Sequence, residues 1–248
     1  MTRRTRTSGT ALGAPRARAG LAAFGAAFLL LAGSPALPAQ EADYLVTDGP
    51  LSPEDFYRLV ACRALPGGPC TAEPVRWSPE RAADLRVALA PVPADVPADV
   101  VAAVRDALGR AIGEINAAGA QLRLRPVRGD EPAEVTLHLA PVAEGSLIEG
   151  TGVSGVDGQE IGAALVTVWW DEGQDLTEAV IVLAQDLPTT DIGPVVLEEL
   201  TQAMGLMTDI RNPSYEGVSV FSEDSNRVTA LGPQDREALR RHYPPLDP

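Results

Sequence analysis

The chain has 248 residues, 34 of them acidic and 20 basic, for a formal charge of −14. Lysine is absent, so arginine supplies every strong positive charge. A body this acidic repels nucleic acid and anionic lipid, which removes both as partners. The length is enough for one domain with a full core and an N-terminal extension.

Residues 1–39 open with Arg3, Arg4, Arg6, Arg16 and Arg18 and no acid, continue through an apolar run from Leu21 to Ala32, and end in small residues and proline through Ala36 and Ala39. That order is a secretory signal peptide, cleaved after Ala36 or Ala39. The run is shorter than the ~20 residues a membrane span needs. The expectation is an exported protein, periplasmic or secreted, with no membrane span in the mature chain. Cleavage removes five positive charges and no negative one, so the formal charge falls from −14 to −19. Residues 40–50 read as a mobile linker and residues 51–248 as a single domain. In an exported chain the two cysteines, Cys62 and Cys70, form one disulfide around a turn rich in Pro and Gly.

Ser52-Pro53-Glu54-Asp55 starts a helix that runs to about Leu65, with Ser as N-cap and Pro at the first helical position. Leu85–Leu89 alternates as a strand. A long amphipathic helix spans about Ala98–Ala118, its stripe made by Val101, Val104, Leu108, Ile112 and Ile115. Strands follow at Gln121–Pro126 and Glu134–Leu139, then a Gly-rich loop at 145–162, then strands at Ala163–Trp170 and Glu178–Ala184. A helix covers about Pro194–Met204, and a last one about Pro233–His242. One helix between the first two strands implies a parallel pair, and the later short connections imply mixed pairing. The fold class is α+β, a twisted mixed sheet with a long helix, a second helix and a C-terminal helix packed on it.

That second helix contains Leu197-Glu198-Glu199-Leu200-Thr201-Gln202-Ala203-Met204-Gly205. The stretch resembles the zinc-peptidase signature H-E-x-x-H-x-x-G, two histidines one turn apart with a glutamate general base. Counted back from Gly205, Glu198 and Gln202 stand at the histidine positions and Glu199 at the glutamate position. The order of elements is similar to that of zincin and metzincin domains. The run from Val228 to Tyr243 looks like the closing helix of matrixins. A nearer resemblance is to the exported family called domain of unknown function 2927, on Phe56-Tyr57-Arg58-Leu59-Val60, Cys62 and Cys70, Arg76-Trp77, Glu198 to Leu206, Asp209 and Ser219-Val220-Phe221. Together these imply a zincin-like fold with degenerate metal ligands.

Zincin chemistry needs three protein ligands and an open position for water. Glutamine cannot do what an imidazole does, and the third-ligand position falls at Thr208, next to Asp209. The only histidines, His138 and His242, have no histidine partner at ligand spacing. No cofactor is therefore expected. The alternative is a hard divalent cation on the oxygens of Glu198, Gln202 and Asp209. Glu199 is the catalytic candidate if the chain is active, and Glu198, Gln202 and Asp209 are the binding candidates. His138 shares a strand face with Thr136, and His242 reads as a helix-end residue favoured by the dipole. Trp169 and Trp170 close a strand that, as a sheet edge, could take an extended peptide with one Trp on each face. The preferred reading is a non-catalytic module that binds a protein or peptide. The alternatives are an atypical hydrolase using Glu199 with an oxygen-ligated metal, and a structural envelope protein.

Overall fold

The computed structural model describes residues 44–94, 96–128 and 131–245, and residues 2–8 as backbone. The apolar run and cleavage sites of the expected signal peptide lie outside the described residues. In chain order the elements are β1 Thr2–Ser8, β2 Tyr44–Val46, α1 Pro53–Cys62, α2 Pro79–Ala82, β3 Leu85–Leu89, α3 Ala98–Asn116, β4 Leu124–Val127, β5 Val135–Leu139, β6 Ala164–Trp170, β7 Leu176–Leu183, α4 Thr189–Gln202, β8 Asp209–Arg211, a 3-10 turn Pro213–Tyr215 and α5 Pro233–His242.

The main sheet has the order β1-β6-β7-β5-β3-β4. β3 pairs in parallel with β4 and β5, β5 pairs in parallel with β7, and β6 runs antiparallel to β7. This is the α+β architecture, a mixed sheet with helices packed on it, that the sequence led us to expect. Pro126 in β4 is tolerated because β4 is the last strand of the sheet.

Strand alternation sends the two sides of the sheet into two cores. Val87, Val135, Leu137, Val166, Val168, Ala179 and Ile181 face the helices. There α3 lies against α4 and α1 against α5. The stripe of α3 is inward as expected: Val104, Leu108, Ile112 and Ile115 are buried and Val101 is half-buried. On the opposite side Leu165, Trp169, Val180 and Val182 meet Ile148, Val156 and Ile161 from the Gly-rich loop. That loop is held by Asp157, which accepts from Thr151 N, Thr151 Oγ1 and Gly152 N. The sheet is thus covered on both faces, one by helices and one by a loop. Among the described side chains, every member of both cores lies at Leu45 or beyond.

Several boundaries differ from the sequence reading. α4 begins one turn earlier than Pro194, because Ile192 is buried and anchors the extra turn. The stretch 40–50 is not a free linker throughout. Tyr44–Val46 pairs in parallel with β8, Asn212 Nδ2 donates to Thr47 Oγ1 and Gly49 O, and Leu51 N donates to Tyr215 Oη. α1 starts as read, with Ser52 Oγ accepting from Asp55 N at 3.1 Å. It ends at Arg63 in the left-handed region, φ 57°. Cys62 and Cys70 form the expected disulfide. Among the described residues no helix is long and apolar enough to cross a membrane.

Candidate functional site

Helical geometry puts Glu198 and Gln202 one turn apart on the same face of α4. The chain reverses after α4 and brings Asp209, first residue of β8, against that face. Gln202 Nε2 donates to Glu198 Oε1 at 3.2 Å and to Asp209 Oδ1 at 3.4 Å. The three expected binding residues therefore come together. They are also sealed: Glu198 is 4% exposed, Gln202 0% and Asp209 1%. Buried carboxylates are costly unless they are hydrogen-bonded, and the Gln202 amide is one donor that both share. Gln202 Oε1 and the neighbouring Thr208 Oγ1 are buried with no hydrogen-bond partner. Glu199, one residue on, sits about 100° further round the helix. It too is fully buried, at 0%.

The C-terminal end of α4 is closed by groups far away in sequence. Trp77 Nε1 donates to Ala203 O at 3.1 Å, and Tyr243 Oη donates to Met204 O at 2.6 Å while accepting from Trp77 N. These satisfy carbonyls that a helix end leaves orphaned. Gly205 turns the chain with φ 97°, and a Cβ there would lie 2.0 Å from Val75 O. His242 Nε2 lies 2.9 Å from Val75 O and Nδ1 lies 3.4 Å from Tyr57 Oη. A carbonyl can only accept, so Nε2 carries the hydrogen and Nδ1 accepts from the tyrosine. His242 is wholly buried, and burial pushes its pKa down to about 4. This corrects the expectation of a charged residue at a helix end: the ring is a neutral strut joining α5, α1 and the Val75 segment. Burial likewise lowers the pKa of the half-buried His138, which shares its strand face with Thr136 as expected.

The strand ending in Trp169 and Trp170, β6, was expected as a sheet edge but is second in the sheet, because β1 lies outside it. Its outer side pairs along its whole length with β1, antiparallel, from Thr2 opposite Trp170 to Ser8 opposite Ala164. Trp169 packs into the loop-covered core and Trp170 is half-buried against the helical one. The two rings thus lie on opposite faces. Trp170 also walls a cavity of about 320 Å³ formed with Glu73, Val75, Gln174, Gly205 and Met207. None of the four motif residues lines it. Sequence reasoning missed this cavity because its walls come from separate segments and no local pattern announces them. It also missed Asp235, a buried carboxyl that accepts from Ser219 Oγ, Val220 N and Gly232 N and whose pKa burial raises.

Among the described residues no group of three or more His, Cys, Asp or Glu is placed to hold a metal ion. An amide nitrogen, not an oxygen, faces both carboxylates of the cluster.

No protein-family profile and no curated protein sequence matches the chain, so the resemblance to the domain of unknown function 2927 family rests on the residues quoted for it. Among solved structures, myroilysin is similar with a TM-score of 0.37 and 12% identity, over 69% of this chain and 96% of that one. At that score the likeness carries no argument about activity.

Proposed function

We propose that this is an exported, non-catalytic module with a degenerate metallopeptidase-like domain, and that it binds an extended polypeptide by strand addition along β6. The observation that carries the reading is the seven-residue antiparallel pairing of Thr2–Ser8 with β6: the edge accepts a strand along its full length. Backbone hydrogen bonds supply affinity in this mode, and pockets for alternate side chains supply selectivity. The closed cluster of Glu198, Gln202 and Asp209 supports the non-catalytic half, because a hydrolytic centre needs room for substrate and water. Export is supported by the basic, apolar and small-residue order of residues 1–39 and by the Cys62–Cys70 disulfide.

The test is amide hydrogen exchange on a chain beginning at Gln40. Its β6 amides should exchange faster than those of the full chain and slow again when an extended peptide is added. If no peptide from a diverse library slows them, the binding reading is lost. Casein cleavage that disappears in Glu199→Gln would overturn the non-catalytic half.

A further inference from the structure

We propose, on the strand-addition reading above, that the polypeptide recognised at β6 carries basic residues at its N-terminal end, opposite Trp170 and Trp169. The register sets the direction. An antiparallel occupant has its first residue opposite Trp170 and its seventh opposite Ala164. The N-terminal end of the occupant therefore meets the turn between β6 and β7.

That end of the edge is strongly acidic. The hairpin from Ala164 to Leu183 contains Asp171, Glu172, Asp175 and Glu178 and no basic residue. None of these four forms an ion pair among the described residues. Asp171 caps its own turn, accepting from Gly173 N and Asp175 N. Two arginines approach from neighbouring segments, but both donate to carbonyls, Arg81 to Leu176 O and Arg76 to His242 O.

Alternation assigns the two positions to opposite faces. The residue opposite Trp169 shares a face with that ring and with Glu178, its partner on β7. Strands lie about 4.8 Å apart, so two steps separate this residue from Glu178, a span that a long basic side chain bridges. The residue opposite Trp170 lies on the other face, where Trp170 walls the cavity holding Glu73. The pairing shift between Trp169 and Trp170 turns the strand at this point, which helps separate the two stations. The segment paired with β6, Thr2–Ser8, carries three arginines and no acid, with Arg3 opposite Trp169. It has the charge that the acidic hairpin calls for.

The experiment titrates the chain from Gln40 to Pro248, which holds both cores, with seven-residue peptides of alternating Val and Thr that begin Arg-Arg, Gln-Gln or Glu-Glu. Tryptophan fluorescence and calorimetry give the affinities, and the full-length chain is run in parallel. The Arg-Arg peptide should bind about tenfold tighter than Gln-Gln, and Glu-Glu weakest. The advantage should shrink at about 0.5 M salt. It should vanish in a Glu73→Gln, Glu178→Gln double variant. Equal binding of Arg-Arg and Gln-Gln would overturn the basic preference and leave strand addition standing, whereas no binding of any peptide would remove both. A preference that survives in the double variant, or an edge closed by a second copy of the chain in sedimentation, would also overturn the proposal.

Discussion

The cluster on α4 and the edge of β6 lie side by side and use their polar groups in opposite ways. Glu198 and Asp209 are linked through the Gln202 amide inside the protein, nearly sealed from solvent and outside the lining of the nearby cavity. β6 presents a row of backbone groups on its outer side, and a strand lies on all of it. A run that resembles a catalytic motif in sequence is packed here as interior, while β6, which carries no motif, is paired along its whole outer side.

The contrast breaks most visibly at Gly205. Gly205→Ala should cost about 4 kcal/mol or more, or prevent folding, because the new Cβ meets Val75 O at 2.0 Å in a left-handed conformation. Thermal melts beside wild type measure it, and a loss below about 1 kcal/mol would show that the end of α4 is loose. Next, Gln202→Leu should destabilise by about 3 kcal/mol, since two buried carboxylates lose their shared donor. Denaturant unfolding checks this, and a neutral result would mean that the cluster is not scaffolding.

The pH dependence sharpens the picture of a sealed interior. The buried His242 has a folded value of about 4 against 6.5 in the unfolded chain, so the unfolded chain binds the proton more readily. Stability from this group is whole above pH 6.5 and is lost as pH falls toward 4, by on the order of 3 kcal/mol. Asp235, raised by burial, acts in the opposite sense and loses stability as pH rises through its folded value. Comparing the melting slope of wild type with that of His242→Gln isolates the histidine, and the variant should be flatter between pH 6.5 and 4. The smallest effect lies on β6. Thr167 Oγ1 is buried without a hydrogen bond, so Thr167→Val should stabilise by about 1 kcal/mol in thermal melts and leave peptide affinity as it was.

Elements marked by local chemistry were readable in the sequence. β3 falls where alternation places it, α5 spans Pro233–His242 as read, and α1 begins at its Ser52 cap. β2 and β8 were not readable, because strands of three residues exist through pairing with each other and carry no periodicity of their own. At the candidate site the spacing of Glu198 and Gln202 put them on one helical face, and Asp209 was named from the family pattern. Their closure into a buried cluster depends on how the chain turns after Gly205, on Trp77 meeting Ala203 O, and on Tyr243 meeting Met204 O. Those partners lie 126 and 39 residues apart, beyond any window over which side-chain patterns speak.

The pairing of β2 with β8 sets a mechanical route through the molecule. Tyr44 stands opposite Asp209, and the Arg211 guanidinium lies 3.8 Å over the Tyr44 ring. A pull on the chain ahead of Tyr44 therefore loads β8 before it loads any helix. Its first point of strain is the strand that carries Asp209 into the buried cluster.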